Sequence, residues 1–296
     1  MLNPEDLEKL KKAGRIAAQA LRLGMDMVDT NVKLIDVAEE VEAYARKHGS
    51  KPAFPCNLSI NDVAAHYTPS VGDKSRFSIG DVVKVDVGVH VDGFVGDTAG
   101  TVEVGTRSFK KMIESSVKAR DAAMELITDG CPMNEIGRVV DATVRQDGFN
   151  VIANLTGHEI KPYNLHSGLS IPNVYDNNTT PIQSGMVLAV EPFATNGQGL
   201  IKSAKPGNIH KIARERQIED PGLKNFFDTI KEEFVTFPFC ERWCDHPKAG
   251  QMLNKLMRHG IVTTYAQLTE VKRGCVTQSE HTVYVDEKSK IITTLP

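Results

Sequence analysis

Leu7, Leu10, Ala13, Ala17, Ala18 and Leu21 recur every three or four residues, the spacing of one helix face, and Asn3-Pro4 supplies a helix start. A second pattern of this kind predicts a helix over about residues 34–48, with Gly49 as its stop. A third is expected from a Ser108 cap to about residue 128, and a fourth over about 134–147, ended by Gly148. Between the second and third the period drops to two. The stretch VVKVDVGVHVDGFVGDTAG, residues 82–100, alternates through Asp92-Gly93, a strong signal for a two-residue hairpin turn. Such a turn sets 91 opposite 94, 89 opposite 96 and 88 opposite 97. Valines 83, 85, 87, 89 and 91 then share the core face, while Asp86 and Asp97 stand diagonally on the other face, with Gly88 leaving open space beside Asp97.

Both helix pairs stop at a glycine and lead into similar segments, PCNLSI at 55–60 and IANLTG at 152–157. Two related halves facing a shared site would give this order, and chance similarity would give it as well. From 197 to about 262 the texture changes to lysine-rich, proline-broken stretches, followed by helical patterns around LKNFFDTIKEEF and GQMLNKLMRHG. The expected organisation is one catalytic domain over 1–296 with a helical subdomain inserted at 197–262, before a strand returns in CVTQSEHTVYVD.

Composition narrows the function classes. The 296 residues carry a formal net charge of -3, so no global basic field points to nucleic acid. The stretch MLNPEDLEKLKKAGRIAAQAL lacks the apolar segment of a signal peptide, and no run is long and apolar enough to span a bilayer. A cytoplasmic protein without a membrane partner is expected. Five scattered cysteines form no disulfide framework and agree with reduced thiols.

Candidate chemistry begins with Asp86 and Asp97, diagonal neighbours roughly 7 Å apart at the backbone. Two carboxylates at that separation repel unless a cation lies between them or water screens them. Glu191 lies inside the apolar run GMVLAVEPF, Glu280 inside QSEHTVYV, and His158 follows Gly157 in LTGHEI. A carboxylate in an apolar strand is costly unless paired or ligated. Each residue alone is satisfied by a structural ion pair. Together, four carboxylates and one neutral imidazole carry a charge of -4, matched by two divalent cations. Mostly oxygen donors with one nitrogen suit manganese, iron, cobalt or zinc, and the chemistry expected of such a pair is activation of a water. Other motifs fail. After His158-Glu159 the next histidine is His166, which misses the four-residue spacing of a zincin helix, and Pro162 would break that helix. The CERWCDH stretch at 240–246 lacks a second ligand pair for a metal knuckle and reads as buried structural cysteines in a helix.

The order Asp86, Asp97, His158, Glu191, Glu280, set in DVGVHVDGFVGDTAGT, AVEPFAT and QSEHTV, resembles the methionine aminopeptidases. NDVAAHYTP at 61–69 and HEIKPYNLHSGLSIPN at 158–173 resemble their type II branch, as do the 89 positions from Glu191 to Glu280, and the absence of a long charged extension before residue 1 is similar to the archaeal type. The resemblance covers nearly the whole chain. It implies an α/β (α+β) pita-bread fold, two pseudo-symmetric halves with a curved antiparallel sheet covered by helices. The implied activity is metal-dependent removal of the initiator methionine from nascent polypeptides ahead of a small second residue.

The same resemblance implies that Asp97 and Glu280 bridge two divalent metal ions, that Asp86 holds one, and that His158 and Glu191 hold the other. Glu191 is the implied proton shuttle, His166 the oxyanion donor and His66 the contact to the scissile amide, while Phe54, Leu165 and Tyr265 line the methionine pocket. A monomer acting on peptide N-termini without nucleic acid is expected, and ribosome association stays open. Ser279 departs from the family, whose members commonly carry an aromatic there; strand alternation points it away from the metals. Two alternatives use the same framework: an X-Pro aminopeptidase, and a non-catalytic, RNA-binding proliferation-associated homologue, which the presence of all five ligand residues disfavours.

Overall fold

The computed structural model describes residues 1–295. Helix α1 spans Pro4–Met27: Asn3 accepts the Asp6 amide at 2.9 Å, Pro4 occupies the first turn, and Leu10, Ala13, Ala17 and Ala20 form the buried stripe. Helix α2 spans Leu34–Lys47, and Gly49 takes up the left-handed conformation at φ 72° that the chain needs to leave it. Helix α3 spans Lys110–Leu126 and α4 spans Met133–Gln146.

Ser108 does not cap α3. No side chain caps the helix, which starts at Lys110; the Glu103 carboxylate instead ties down the two residues before it, accepting the amides of Ser108 at 2.7 Å and Phe109 at 2.8 Å. A carboxylate at a helix N-terminus also meets the positive end of the dipole, which a serine hydroxyl does not exploit as strongly.

The hairpin register is the one its turn dictates. The Val82–Val91 strand pairs with Phe94–Glu103, setting Gly88 opposite Asp97 and Val91 opposite Phe94, with Asp92 at φ 49° and Gly93 at φ 87° in the turn. Val83, Val85, Val87 and Val89 are fully buried beneath α1 and α2, and Val91 is half-buried at the end of the strand. Helices α3 and α4 cover a second core built on Leu188, Val190, Val283 and Val285. Those residues belong to a five-stranded antiparallel sheet ordered Lys290–Ile292, His281–Val285, Val187–Val190, Thr156–Ile160 and Ser170–Pro172. Each half is therefore a helix pair on a sheet.

Threonines join the halves. Thr282 Oγ1 donates to the Asp97 carbonyl and accepts the Asp97 amide, each at 2.8 Å. Thr98 and Thr101 donate to the carbonyls of Glu280 and Gln278 at 2.9 and 2.8 Å, and the Glu280 amide donates to the Ala99 carbonyl at 2.9 Å. These side-chain bonds replace a continuous ladder along the seam, and they bring the strand of Asp97 against the strand of Glu280.

The region from 197 to 262 holds more strand than its sequence suggests. Ile201–Ile212 is a strand of 12 residues paired with Val262–Glu270, and its register shifts twice around Pro206. The shifts break the alternation that would have announced it. Helices α5 (Pro221–Phe234) and α6 (Ala249–Arg258) then pack Leu223, Phe226, Phe227, Ile230, Leu253 and Leu256 into a separate apolar cluster. Cys240 and Cys244 are free thiols flanking a short turn of 3-10 helix at Glu241–Trp243, not part of an α-helix. Burial pushes both thiols up, Cys244 to about 12, which suits inert packing rather than ligation. No helix among the described residues is long and apolar enough to cross a membrane.

Candidate metal centre

Asp86 and Asp97 come from the two strands of the hairpin, His158 from Thr156–Ile160, Glu191 from the end of Val187–Val190, and Glu280 from just before His281–Val285. All five line one cavity of about 210 Å³ at the junction of the halves. His158 Nε2 lies 3.7 Å from Asp97 Oδ2 and 3.7 Å from Glu191 Oε1. Ligand atoms of Asp97, His158 and Glu280 all lie within 4.8 Å of one another. The structure thus brings together every acidic and imidazole position singled out in the sequence.

The electrostatics of this cluster are unfavourable as it stands. Burial raises Asp86 to about 7. Burial, and then the neighbouring carboxylates, raise Asp97, Glu191 and Glu280 well above the carboxylate range. Burial holds His158 neutral, down to about 3, as a metal ligand must be. Asp86 Oδ1 and Asp97 Oδ1 are buried without a hydrogen-bond partner, although such atoms are normally satisfied. Four oxygen donors and one imidazole nitrogen with unspent lone pairs fit divalent cations by number, charge and hardness.

The space beside Gly88 is not open. A side chain there would run into the ring of Phe54, which stacks into the gap and forms part of the cavity wall. Leu165, His166, His66 and Tyr265 complete the near rim. His66 sits in the left-handed region at φ 66°, a strained setting for a histidine and of a kind that clusters at functional sites. Its Nδ1 lies 3.2 Å from the Ala266 carbonyl, and its ring meets Tyr265 edge-on at 5.1 Å. The His166 ring lies 4.3 Å from that of His158, tilted by 51°. Burial lowers both rim histidines, with help from Lys211 in each case, His166 to about 4.

Other residues that line the cavity or touch its carboxylates carry no mark in the sequence. Gln278 faces the carboxylates, its Nε2 3.5 Å from Glu191 Oε2. It stands two positions before Glu280, so strand alternation was the available signal. Asn57 pairs across the ladder with Asp86 and lies in the quoted PCNLSI segment. Ile209 and Pro238 come from the irregular 197–262 region, where no pattern identified them. Ser279 points away from the cavity, as alternation requires, and accepts from Arg120 Nη1 at 2.8 Å, a polar partner in place of an aromatic neighbour.

Residues 8–287 match the sequence profile of metallopeptidase family M24. The chain is 39% identical to a methionine aminopeptidase of Methanocaldococcus jannaschii, across 98% of this chain and 99% of that protein. It is 41% identical to a methionine aminopeptidase of Thermococcus kodakarensis, across 98% of this chain and 100% of that protein. The crystal structure of methionine aminopeptidase from Rickettsia prowazekii superposes with a TM-score of 0.73 at 22% identity, covering 100% of this chain and 99% of that one, which shows a shared fold.

Proposed function

The chain belongs to metallopeptidase family M24, has its pita-bread fold and is a metallo-aminopeptidase, and on that premise we propose that it cleaves the initiator methionine from nascent polypeptides whose second residue is small. The observation that carries this reading is the convergence of Asp86, Asp97, His158, Glu191 and Glu280 on one cavity with two buried carboxylate oxygens left without partners. These five residues would hold two divalent cations, drawn from manganese, iron, cobalt or zinc. When bound, they supply Lewis acidity and a nucleophilic water at neutral pH.

The remaining steps fall to the protein's own groups. Phe54, Leu165 and Tyr265, with Ile209 and Pro238, give the methionine side chain an apolar slot. In the neutral ring, His66 Nδ1 donates to the Ala266 carbonyl, so Nε2 is left as an acceptor for the scissile amide N–H. His166, neutral at pH 7, donates to the oxyanion as the carbonyl carbon becomes tetrahedral. Glu191, beside His158 and Gln278, accepts the proton of the attacking water and passes it to the leaving amine. We assign residues 197–262 as a subdomain inserted into this catalytic domain; the separate apolar cluster of α5 and α6 supports that division.

Release of methionine from a Met-Ala-Ser peptide by protein reconstituted with each metal tests the reading, with Ala-Pro-Ser as the competing substrate. Methionine release that disappears on chelation is expected. Release of alanine alone, or no release with any metal, overturns it.

A further inference from the structure

The carboxylates deep in the cavity are balanced once two divalent cations are bound, and the residues above them are neutral: Phe54, His66, Leu165, His166 and Tyr265. One cation stands at the rim. Lys211 lies opposite Thr263 on the Ile201–Ile212 strand, so it shares a face with Ile209 and Tyr265, both of which line the cavity. Its side chain is exposed, and Nζ stands 4.9 Å from the centroid of the Tyr265 ring, a cation–π arrangement that holds the ammonium over the rim. Among the described residues it enters no ion pair, whereas Lys224 and Lys231 of α5 are each paired with a carboxylate. The positive charge of Lys211 is felt at both His66 and His166, which line the cavity.

A peptide seated by its methionine carries its second residue past those histidines, and an extended chain advances roughly 3.3 to 3.6 Å with each further residue. The third residue therefore emerges on the side of the cavity where the Lys211 ammonium stands over Tyr265, and among the described residues that line the cavity no other lysine or arginine is present. We infer that Lys211 is a specificity-determining residue that favours substrates presenting a carboxylate at the third position, carried either by an acidic side chain or by the free C-terminus of a tripeptide. The inference rests on the aminopeptidase reading above and adds a charge preference that the five ligand residues and the apolar slot do not supply.

Three peptides separate the sources of the carboxylate: Met-Ala-Asp-amide, Met-Ala-Asn-amide and Met-Ala-Asn with a free C-terminus. The measured quantity is the ratio of kcat/KM between a charged peptide and the neutral amide, taken within each enzyme after loading with manganese, so any general effect of a substitution cancels. An exposed ion pair implies roughly a two- to five-fold preference for the charged peptides at low salt, fading towards one at about 1 M salt. Lys211→Arg should keep the ratio, Lys211→Gln should bring it to one, and Lys211→Glu should invert it. A ratio of one in the unsubstituted enzyme, or an unchanged ratio in Lys211→Gln, overturns the inference. Absence of methionine release from all three peptides overturns the aminopeptidase reading together with it.

Discussion

Gly88 sits opposite Asp97 in the hairpin ladder, and the ring of Phe54 fills the volume that a side chain at position 88 would need. The glycine thus admits an aromatic wall to the cavity, the slot proposed for the methionine side chain. Adding a methyl group there forces the ring out or the strand to shift, an overpacking cost of typically 1–3 kcal/mol.

Gly88→Ala is expected to lower kcat/KM for Met-Ala-Ser by at least about tenfold, mainly through KM, since a displaced wall weakens binding of the methionine side chain. Combining it with Phe54→Leu should recover stability but not affinity. Steady-state kinetics and thermal unfolding of both variants check this, and wild-type KM in Gly88→Ala would contradict the packing argument.

The sequence spelled out the parts of the site that depend on local pattern. The Asp-Gly turn dictated the pairing of Gly88 with Asp97, and the polar interruptions of apolar strands exposed Glu191 and Glu280. What it hid depends on contacts between distant segments. The open space beside Gly88 is closed by Phe54, a residue 34 positions away. The cap expected of Ser108 is absent because the turn folds back so that the Ser108 amide is bonded to the Glu103 carboxylate, five positions earlier. The Ile201–Ile212 strand escapes notice because its bulges around Pro206 erase the period of two, and Ile209 and Lys211 went unread with it.

Glu42 and Arg242 form an ion pair with side chains only 3% and 4% exposed, and it ties the 241–243 turn to α2. Both guanidinium Nη atoms reach the carboxylate at 2.8 Å, Trp243 Nε1 adds a bond of 2.6 Å, and Arg242 also donates to the Pro69 carbonyl and Thr68 Oγ1. The His66 loop is thereby fastened to the same clamp. Removing one partner strands a buried charge, at a cost of about 3–5 kcal/mol. Arg242→Met and Glu42→Met should each destabilise by that order in urea unfolding, and the double substitution by clearly less than their sum. Additive losses would show that the two charges are not coupled.

Proton release should accompany metal binding, and its sign follows from the carboxylates. In the metal-free protein, burial holds Asp86 at about 7, and burial with mutual repulsion holds Asp97, Glu191 and Glu280 higher than usual, whereas the unfolded chain ionises these groups near pH 4. Between about pH 4 and 7 the folded metal-free state therefore binds more protons than the unfolded state. These groups then cost stability as pH rises, by about 1.4 kcal/mol per pH unit for each proton retained. Buried histidines 90, 158, 166, 210 and 281, held at about 3 to 4, act in the opposite direction: their contribution is lost as pH falls below about 6.5. The melting temperature of the metal-free protein alone is thus a poor readout, because the two sets offset each other. The difference between metal-loaded and metal-free protein is a sharp one, since the neutral histidines cancel and the carboxylates must ionise on ligation. The gain in Tm on adding manganese should grow from pH 5 to 7.5, and calorimetry in buffers of different ionisation enthalpy should count at least one proton released per chain at pH 6. Asp97→Asn should lower that count together with the number of ions bound. A metal-induced gain that stays flat with pH, with no proton released, would show that these carboxylates are already ionised without the cations and that their repulsion is relieved in another way.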